Sequence, residues 1–527
     1  MAQTFEDITR DVVDRYLQNI LFIDDYAYSN KKENAFDANE ISSVFAQKSK
    51  LCTIYAPSST KDLENCVPLI AKSDVVVLDW YLNIENEQQI ADAEADVEAE
   101  EPRGIYTMEL IKNIIEDATD KKLKLIIVYT GDGAKLYDIT KNIHEAIATD
   151  VNYTIDEKSC QVSSANVSIL VRAKYNGGKD QLKYNQDLRS KIVKYEDLPD
   201  FITKEFARFV GGLLPNFAMS TIASIRNNTS NILGVFSKDI DPAFLGHYVS
   251  IPDSNDAISM LSKMFGTAVT NLIDVEEIPV KEWILKWIET RAIRKVRIFD
   301  GEVEINKDNL EKLIKSTNSF RNKIKKSFNV TIEHSEHEKE DTYKMHATEL
   351  FAENNADALN YKWAKLVQHG NIFSTPRSYR LTTGTIVKYK NATDDNWRYL
   401  ICIQQSCDSV RIPSNEKRSF LFLPLHQQKA NIKGEAIVVG EQGHLIVDNK
   451  SYSIELHEFS PNGNVANITA QLKNNEYVFE DTDGKSFVWV AELKEMFAQY
   501  IVSTYASQLS RVGVDNSEWI RLVGKRK

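Results

Sequence analysis

Five short apolar runs alternate with helical patterns over the first 180 residues of the chain. Each run contains a continuous apolar stretch, which is typical of a strand that is covered on both faces. The runs are NILFIDD (19–25), KLCTIYAP (50–57), DVVVLDWYL (74–82), KLIIVYTGD (124–132) and NVSILVRAKY (166–175). This part of the chain is therefore predicted to contain five buried strands.

The segments between these runs have the spacing of amphipathic helices. They are EISSVFAQ (40–47), STKDLENCVPLIAKS (59–73), GIYTMELIKNIIEDATDKK (104–122) and AKLYDITKNIHEAIA (134–148). Strands that alternate with helices predict right-handed crossovers and a doubly wound α/β domain with a parallel sheet. Five strands suit a flavodoxin-like order, in which the ligand site lies beyond the carboxyl ends of the strands.

Two insertions interrupt this unit. Residues 83–101 contain eight acidic residues and no basic one, which predicts a solvated loop. The polar segment 150–164 predicts either a hairpin or an irregular loop.

The rest of the chain changes character twice. Helical patterns cover 198–236, with a bend expected near Gly211, Gly212 and Pro215, and continue at 254–273, 280–294 and 307–327. From Arg380 the pattern becomes β-rich, and a terminal helix is expected at about 490–509. We predict an α/β domain with an acidic insertion at 1–180, a helical domain at 181–330, a connecting segment at 331–379 and a β-rich domain at 380–527.

Composition narrows the functional classes. A net charge of -12 argues against a nucleic-acid surface over the whole molecule. The most apolar long segment, 206–225, is interrupted by Arg208 and Pro215, which favours a core helix over a membrane span. Five scattered cysteines and an N-terminus unlike a signal peptide favour the reducing cytoplasm.

Polar residues with the potential for chemistry follow the predicted strands. Asp24 and Asp25 end the first strand, Asp79 lies on the third, Thr130 ends the fourth and Lys174 ends the fifth. In a parallel sheet these positions share one edge, where three carboxylates repel one another unless a cation joins them. Mg²⁺ fits because it prefers oxygen ligands and bridges to phosphate. Asp79 would then be the nucleophile, and Thr130 and Lys174 would hold phosphoryl oxygens.

FIDD, VVVLDWYL, YTGD and the lysine after the fifth strand resemble the signature of response-regulator receiver domains. The resemblance covers about residues 15–180. It implies that a histidine kinase phosphorylates Asp79 and that Asp25 and Asp79 bind Mg²⁺ directly, with Asp24 acting through water. The main-chain carbonyl of Tyr81 would be a further ligand. The chain departs from the family at Val171, where members often carry a switching aromatic residue, and after Lys174, where proline is usual.

Three further segments resemble a bacterial group of large, atypical response regulators, which includes the phosphate-buffering regulators of the Detocs phage-defence system. They lie at 213–229, 239–248 and 399–412. This resemblance implies a phosphate sink that competes with an effector response regulator for kinase phosphate and is not itself an enzyme. The alternative is a phosphorylation-controlled switch whose β-rich domain binds a nucleic acid, a protein or a small molecule.

Overall fold

The chain folds into two compact units, which are described separately. The first comprises residues 1–293 and 306–311, and the second comprises 294–305 and 312–527. A computed structural model describes residues 3–28, 36–84, 104–117, 123–147, 153–175, 184–251, 254–298, 301–329, 343–372, 378–391, 394–414, 416–427, 434–440, 443–461 and 467–509. Most of the acidic insertion therefore lies outside the described residues. The predicted four-part domain division stays a prediction.

A parallel sheet organises the first unit. Its central strands are β1 (Asn19–Ile23), β2 (Leu51–Tyr55), β3 (Val75–Leu78), β4 (Lys124–Thr130) and, later in the chain, β7 (Val167–Lys174). Their order is β2-β1-β3-β4-β7, and every pair among them is parallel. All residues of β3, β4 and β7 are buried, as their continuous apolar runs predict.

The sheet is larger than the predicted five strands. A hairpin of β5 (Thr154–Asp156) and β6 (Gln161–Ser163) adds antiparallel to β7, and β8 (Ile192–Val193) pairs parallel with β7. The sheet thus has eight strands, and the predicted count of five is wrong. The hairpin is one of the two alternatives that the polar segment 150–164 left open.

Helices cover both faces of this sheet. One face packs against α3 (Thr60–Lys72), α4 (Ile105–Asp117) and α5 (Leu136–Ile147). The other face packs against α1 (Phe5–Tyr16), α2 (Ala38–Gln47) and, later in the chain, α7 (Leu198–Val210). Helix α1 was not predicted, although Thr4 and Asp7 form a capping box at its start.

A series of helices continues the first unit. They are α6 (Gln186–Arg189), α7, α8 (Leu213–Asn227), α9 (Thr229–Val235), α10 (Asp241–Ser250), α11 (Ser254–Val275) and α12 (Val280–Ile288). The predicted bend lies at Gly211 and Gly212, between α7 and α8. A Cβ on Gly211 would lie 2.5 Å from the Ala207 carbonyl oxygen, so the turn requires glycine there. The prediction of one helix over 280–294 is wrong, because the chain becomes a strand at Arg294.

The second unit is built mainly from strands. A hairpin of β9 (Arg294–Ile298) and β10 (Gly301–Ile305) comes first, within a segment predicted to be helical. The predicted helix over 307–327 is two helices, α13 (Lys307–Lys315) and α14 (Phe320–Phe328), and α15 follows at Ala356–Gln368.

A nine-stranded sheet then confirms the β-rich character expected from Arg380. Its strands are β11 (Thr385–Asn391), β12 (Asp394–Cys402), β13 (Arg418–His426), β14 (Ala436–Val438), β15 (His444–Val447), β16 (Glu455–Phe459), β17 (Gln471–Lys473), β18 (Glu476–Glu480) and β19 (Ser486–Glu492). Helix α16 (Glu495–Leu509) packs its buried face on this sheet. Among the helices of the described ranges, none has the length and apolar character of a membrane span.

Candidate functional site

The candidate site lies at the carboxyl edge of the parallel sheet. Ile23 of β1 pairs with Leu78 of β3, and Leu78 pairs with Val128 of β4. The residues that follow Ile23 and Leu78, namely Asp24, Asp25 and Asp79, are therefore brought to the same edge.

The three aspartates form one cluster. Asp24, Asp25 and Asp79 each offer a carboxylate oxygen, and these oxygens all lie within 4.8 Å of one another. Lys174, the last residue of β7, places its Nζ 2.6 Å from Asp24 Oδ2 and 3.0 Å from Asp79 Oδ1. The structure therefore brings together the four charged residues that the sequence pattern predicted at this edge.

Burial sets the electrostatics of this cluster. Burial raises the pKa of Asp25 to about 7, and the charges of Asp24 and Asp79 act in the same direction. Burial also raises the pKa of Asp79, although the Lys174 ammonium opposes the shift. Burial disfavours the Lys174 ammonium, but Asp79 and Asp24 outweigh that effect and raise the pKa of this lysine. Three ionised carboxylates and one ammonium leave two negative charges that nothing within the cluster balances.

A divalent cation fits this arrangement. Asp25 Oδ1 is buried and has no hydrogen-bond partner among the described residues, and Oδ2 accepts a hydrogen bond of 3.2 Å from the Asn83 amide. The oxygens of Asp24 already accept hydrogen bonds from the Tyr26 amide and from Lys174. Asp25 and Asp79 are therefore better placed than Asp24 to bind a cation directly. A dication would balance the two excess charges, and Mg²⁺ prefers such oxygen donors. The Tyr81 carbonyl as a ligand stays a prediction.

Thr130 reaches the same edge from β4. Its side chain is fully buried, and its Oγ1 accepts a hydrogen bond of 3.1 Å from the Asp132 amide. Thr130 is paired with Ala173, the neighbour of Lys174. The hydroxyl hydrogen of Thr130 can therefore be donated to an oxygen bound at this edge.

Two residues that the sequence did not indicate hold the segment after Asp79. The Thr107 hydroxyl, on α4, donates to the Asp79 carbonyl at 2.7 Å and is also 3.1 Å from the Trp80 carbonyl. Gly104 has a φ of +93°, and a Cβ there would lie 2.5 Å from the Trp80 ring. Both residues follow the acidic insertion, so no short spacing to Asp79 could have revealed them.

Two aromatic rings flank the lysine. The Lys174 Nζ lies 5.4 Å from the Phe36 ring centroid and 6.0 Å from the Tyr129 centroid. These rings favour the charged ammonium and restrict its position. Val171, at the position of the usual switching aromatic, is buried within β7.

A family model matches the part of the chain that contains this site. Residues 16–179 match the family model described as Response receiver domain, which covers less than a third of the 527 residues. The match supports a two-component response regulator with an N-terminal receiver, and a histidine kinase is the general partner of such a domain. Comparisons with curated proteins and with solved structures gave no match.

Proposed function

We propose that this protein accepts a phosphoryl group from a histidine kinase on Asp79 and acts as a phosphate sink. The observation that carries the proposal is the Lys174 ammonium, which lies between the carboxylates of Asp24 and Asp79, two members of the cluster that also contains Asp25. An aspartate held between a lysine and further carboxylates can serve as a phosphoacceptor once its excess charge is balanced.

The transfer is a simple displacement. A carboxylate oxygen of Asp79 attacks the phosphorus of a phosphohistidine, and an O–P bond forms as the N–P bond breaks. The imidazole leaves with the electron pair of the broken bond. Lys174 turns from Asp79 toward the new phosphoryl oxygens, and Thr130 donates its hydroxyl hydrogen to one of them.

Mg²⁺ would be held by Asp25 and Asp79 directly, by Asp24 through water and by the Tyr81 carbonyl. When bound, it neutralises charge on the transferring group. Thr107 keeps the Asp79 main chain in place during the transfer, because its hydroxyl is bonded to the carbonyl of that residue.

Val171 favours a sink over a switch. Its side chain is buried and has no ring that could move between an inner and an outer position when Asp79 is modified. A sink needs only to take the phosphoryl group and lose it by slow hydrolysis, so we propose no other enzymatic activity. The segments that resemble Detocs regulators support a role in bacterial phage defence, in which a competing effector regulator shares the kinase.

Phosphorylation can be tested with a histidine kinase or a small phosphodonor in the presence of Mg²⁺. We expect labelling that is lost in Asp79→Asn and retained in the control Asp132→Asn, which lies at the same sheet edge outside the cluster. Equal labelling of Asp79→Asn, measured by mass spectrometry, would reject Asp79 as the acceptor. Asp25→Ala should weaken Mg²⁺ binding in a calorimetric titration without unfolding the protein.

Hydrogen exchange separates a sink from a switch. The unmodified protein is compared with a beryllofluoride-loaded one, in which the fluoride complex stands in for the phosphoryl group. A sink predicts changes around Asp24, Asp79, Thr130 and Lys174 and little change over 380–490. Strong changes over 380–490, or a ligand gained there, would favour the phosphorylation-controlled switch.

A further inference from the structure

Helices α8–α11 expose more large apolar side chains for their length than the rest of the described chain. Thirteen of the 32 large hydrophobic side chains that are exposed in the described ranges lie within residues 213–275, a segment of 63 residues. Only four hydrophobic residues of the segment's described part are buried, and two of these are alanines. We call the exposed apolar side chains of this segment the helical face.

Helices α10 and α11 bury almost none of their described side chains in a single copy. Helix α10 has no buried residue, and its apolar side chains Leu245 and Val249 are 57% and 77% exposed. Helix α11 runs for 22 residues, and among its described side chains only Ala257 is buried. Helices in water draw most of their stability from packing an apolar stripe, so α10 and α11 require a cover.

Three glycines within α9, α10 and α11 also indicate that these helices pack against a partner. Gly234, Gly246 and Gly266 lie in α9, α10 and α11, and a Cβ at any of them would meet nothing within 4 Å. A glycine inside a helix costs about 0.5–1 kcal/mol relative to alanine. The fold of one copy gives no steric reason for these glycines, whereas a helix that packs closely against them would.

The low charge of this segment favours a second copy of the chain as the partner that covers it. Only eight of the 63 residues are Asp, Glu, Lys or Arg, about half the 27% of the whole chain, and they sum to -2. Two chains that each carry -12 can therefore meet at this face with little like-charge repulsion. A kinase must dissociate after each phosphoryl transfer, so it would leave the apolar side chains of α10 and α11 exposed to water for part of the time. A second copy of the chain can bury them permanently.

We propose that the helical face is the interface of a homodimer. Helix α8 packs on α1 by its buried side, and α11 packs on α8, so the face is attached to the phosphoacceptor unit. A two-fold axis would place the same helices of both copies against each other. The 13 exposed apolar residues would form the apolar centre of this interface, and neighbouring polar residues would complete the roughly 20–30 residues that each partner contributes to a stable complex.

The mass of the full chain in solution, from light scattering and sedimentation over a range of micromolar concentrations, tests the proposal. We expect the wild type at twice the 60.1 kDa of one chain. The double variant Leu245→Lys/Val249→Lys should dissociate at least about 100-fold more readily, because four apolar side chains per dimer lose their cover. These positions are exposed in one copy, so circular dichroism should remain that of a folded protein.

A second variant and a control complete the experiment. Met264→Lys/Phe265→Lys changes α11 instead of α10 and should dissociate the dimer in the same way. It tests the proposal independently if the α10 variant folds poorly. Leu51→Lys, at a residue 68% exposed on β2 of the same unit, should leave the dimer intact. A wild type of 60.1 kDa at every concentration would overturn the proposal and assign the face to another segment or protein. A dimer that persists in both double variants, or that Leu51→Lys dissociates equally, would overturn it as well.

Discussion

Replacing Lys174 by methionine should destabilise the protein in a way that Mg²⁺ reverses. The side chain is 9% exposed, and its ammonium is the cation that Asp24 and Asp79 share at 2.6 and 3.0 Å. Lys174→Met keeps most of the volume of the side chain but leaves three neighbouring carboxylates with no ammonium among them.

Protonation limits the size of the effect. Removing one partner of a buried ion pair costs about 3–5 kcal/mol. The pKa of Asp79 is already raised to about 6, and burial is the largest cause of this shift. The folded variant can relieve the repulsion by protonating Asp79. At pH 8, two units above a pKa of about 6, this protonation costs no more than about 2.7 kcal/mol. We therefore expect a loss of about 2–3 kcal/mol in the free energy of unfolding at pH 8.

The sign of the pH dependence follows from the same shifts. Burial raises the pKa of Asp25 from 3.8 in the unfolded chain to about 7 in the folded state. Between these values the folded state binds more protons, so the free energy of unfolding falls as pH rises from about 4 to 7. The fall should be steeper in Lys174→Met, because the pKa of Asp79 rises further without the ammonium.

Urea denaturation at pH 8, with EDTA or with saturating Mg²⁺, measures both effects. A ligand at 100 times its dissociation constant adds about 2.7 kcal/mol of stability, and the gain should be larger in Lys174→Met than in the wild type. Lys50→Met is the matched control. Its Nζ is buried against the Asp14 and Leu17 carbonyls near the opposite edge of the sheet, so stability should fall without rescue by Mg²⁺. Equal gains from Mg²⁺ in both variants would refute this account of the cluster.

Two further predictions concern the stability of the first unit. Arg226→Met should cost about 1–3 kcal/mol, because buried Asp74 loses two bonds of 2.8 and 3.0 Å to Arg226 and keeps only the Gln18 and Asn19 amides. Lys48→Met, which breaks the exposed pair with Asp200, should cost less than about 1 kcal/mol by the same urea measurement, and equal costs would contradict the role of burial. Gly104→Ala should cost about 2–4 kcal/mol and slow the labelling of Asp79, because a Cβ would enter the Trp80 ring at a φ of +93°. Gly131→Ala, which meets open space, should change the stability by less than about 1 kcal/mol, and a larger loss there would refute the steric argument.

Several features of this protein were predictable from its sequence. The continuous apolar runs indicated β1, β2, β3, β4 and β7, because strands covered on both faces have no polar face to alternate with. Asp24, Asp25, Asp79, Thr130 and Lys174 follow from the same pattern, since parallel strands bring their carboxyl ends to one edge. The glycines at 211 and 212 likewise indicated the turn between α7 and α8.

Other features depended on the tertiary structure. Strands β6 and β8 pair with β7, and β5 pairs with β6, so these three short strands depend on the edge that β7 offers. Their two- or three-residue sequences are too short to specify that pairing. The helix expected over 280–294 ends at Ile288 because β9 pairs with β10, a contact that local periodicity cannot express.

The site shows the same division. The sequence by itself indicated which charged residues share one edge of the sheet, because the apolar runs mark the buried strands and parallel strands have their carboxyl ends on the same side. Only the tertiary structure decided that Lys174 lies between Asp24 and Asp79, that Thr107 and Gly104 hold the segment after Asp79, and that α10 and α11 keep their apolar sides exposed. These are contacts between residues far apart in the chain, and they depend on how helices and strands pack, which no spacing of residues along one segment encodes.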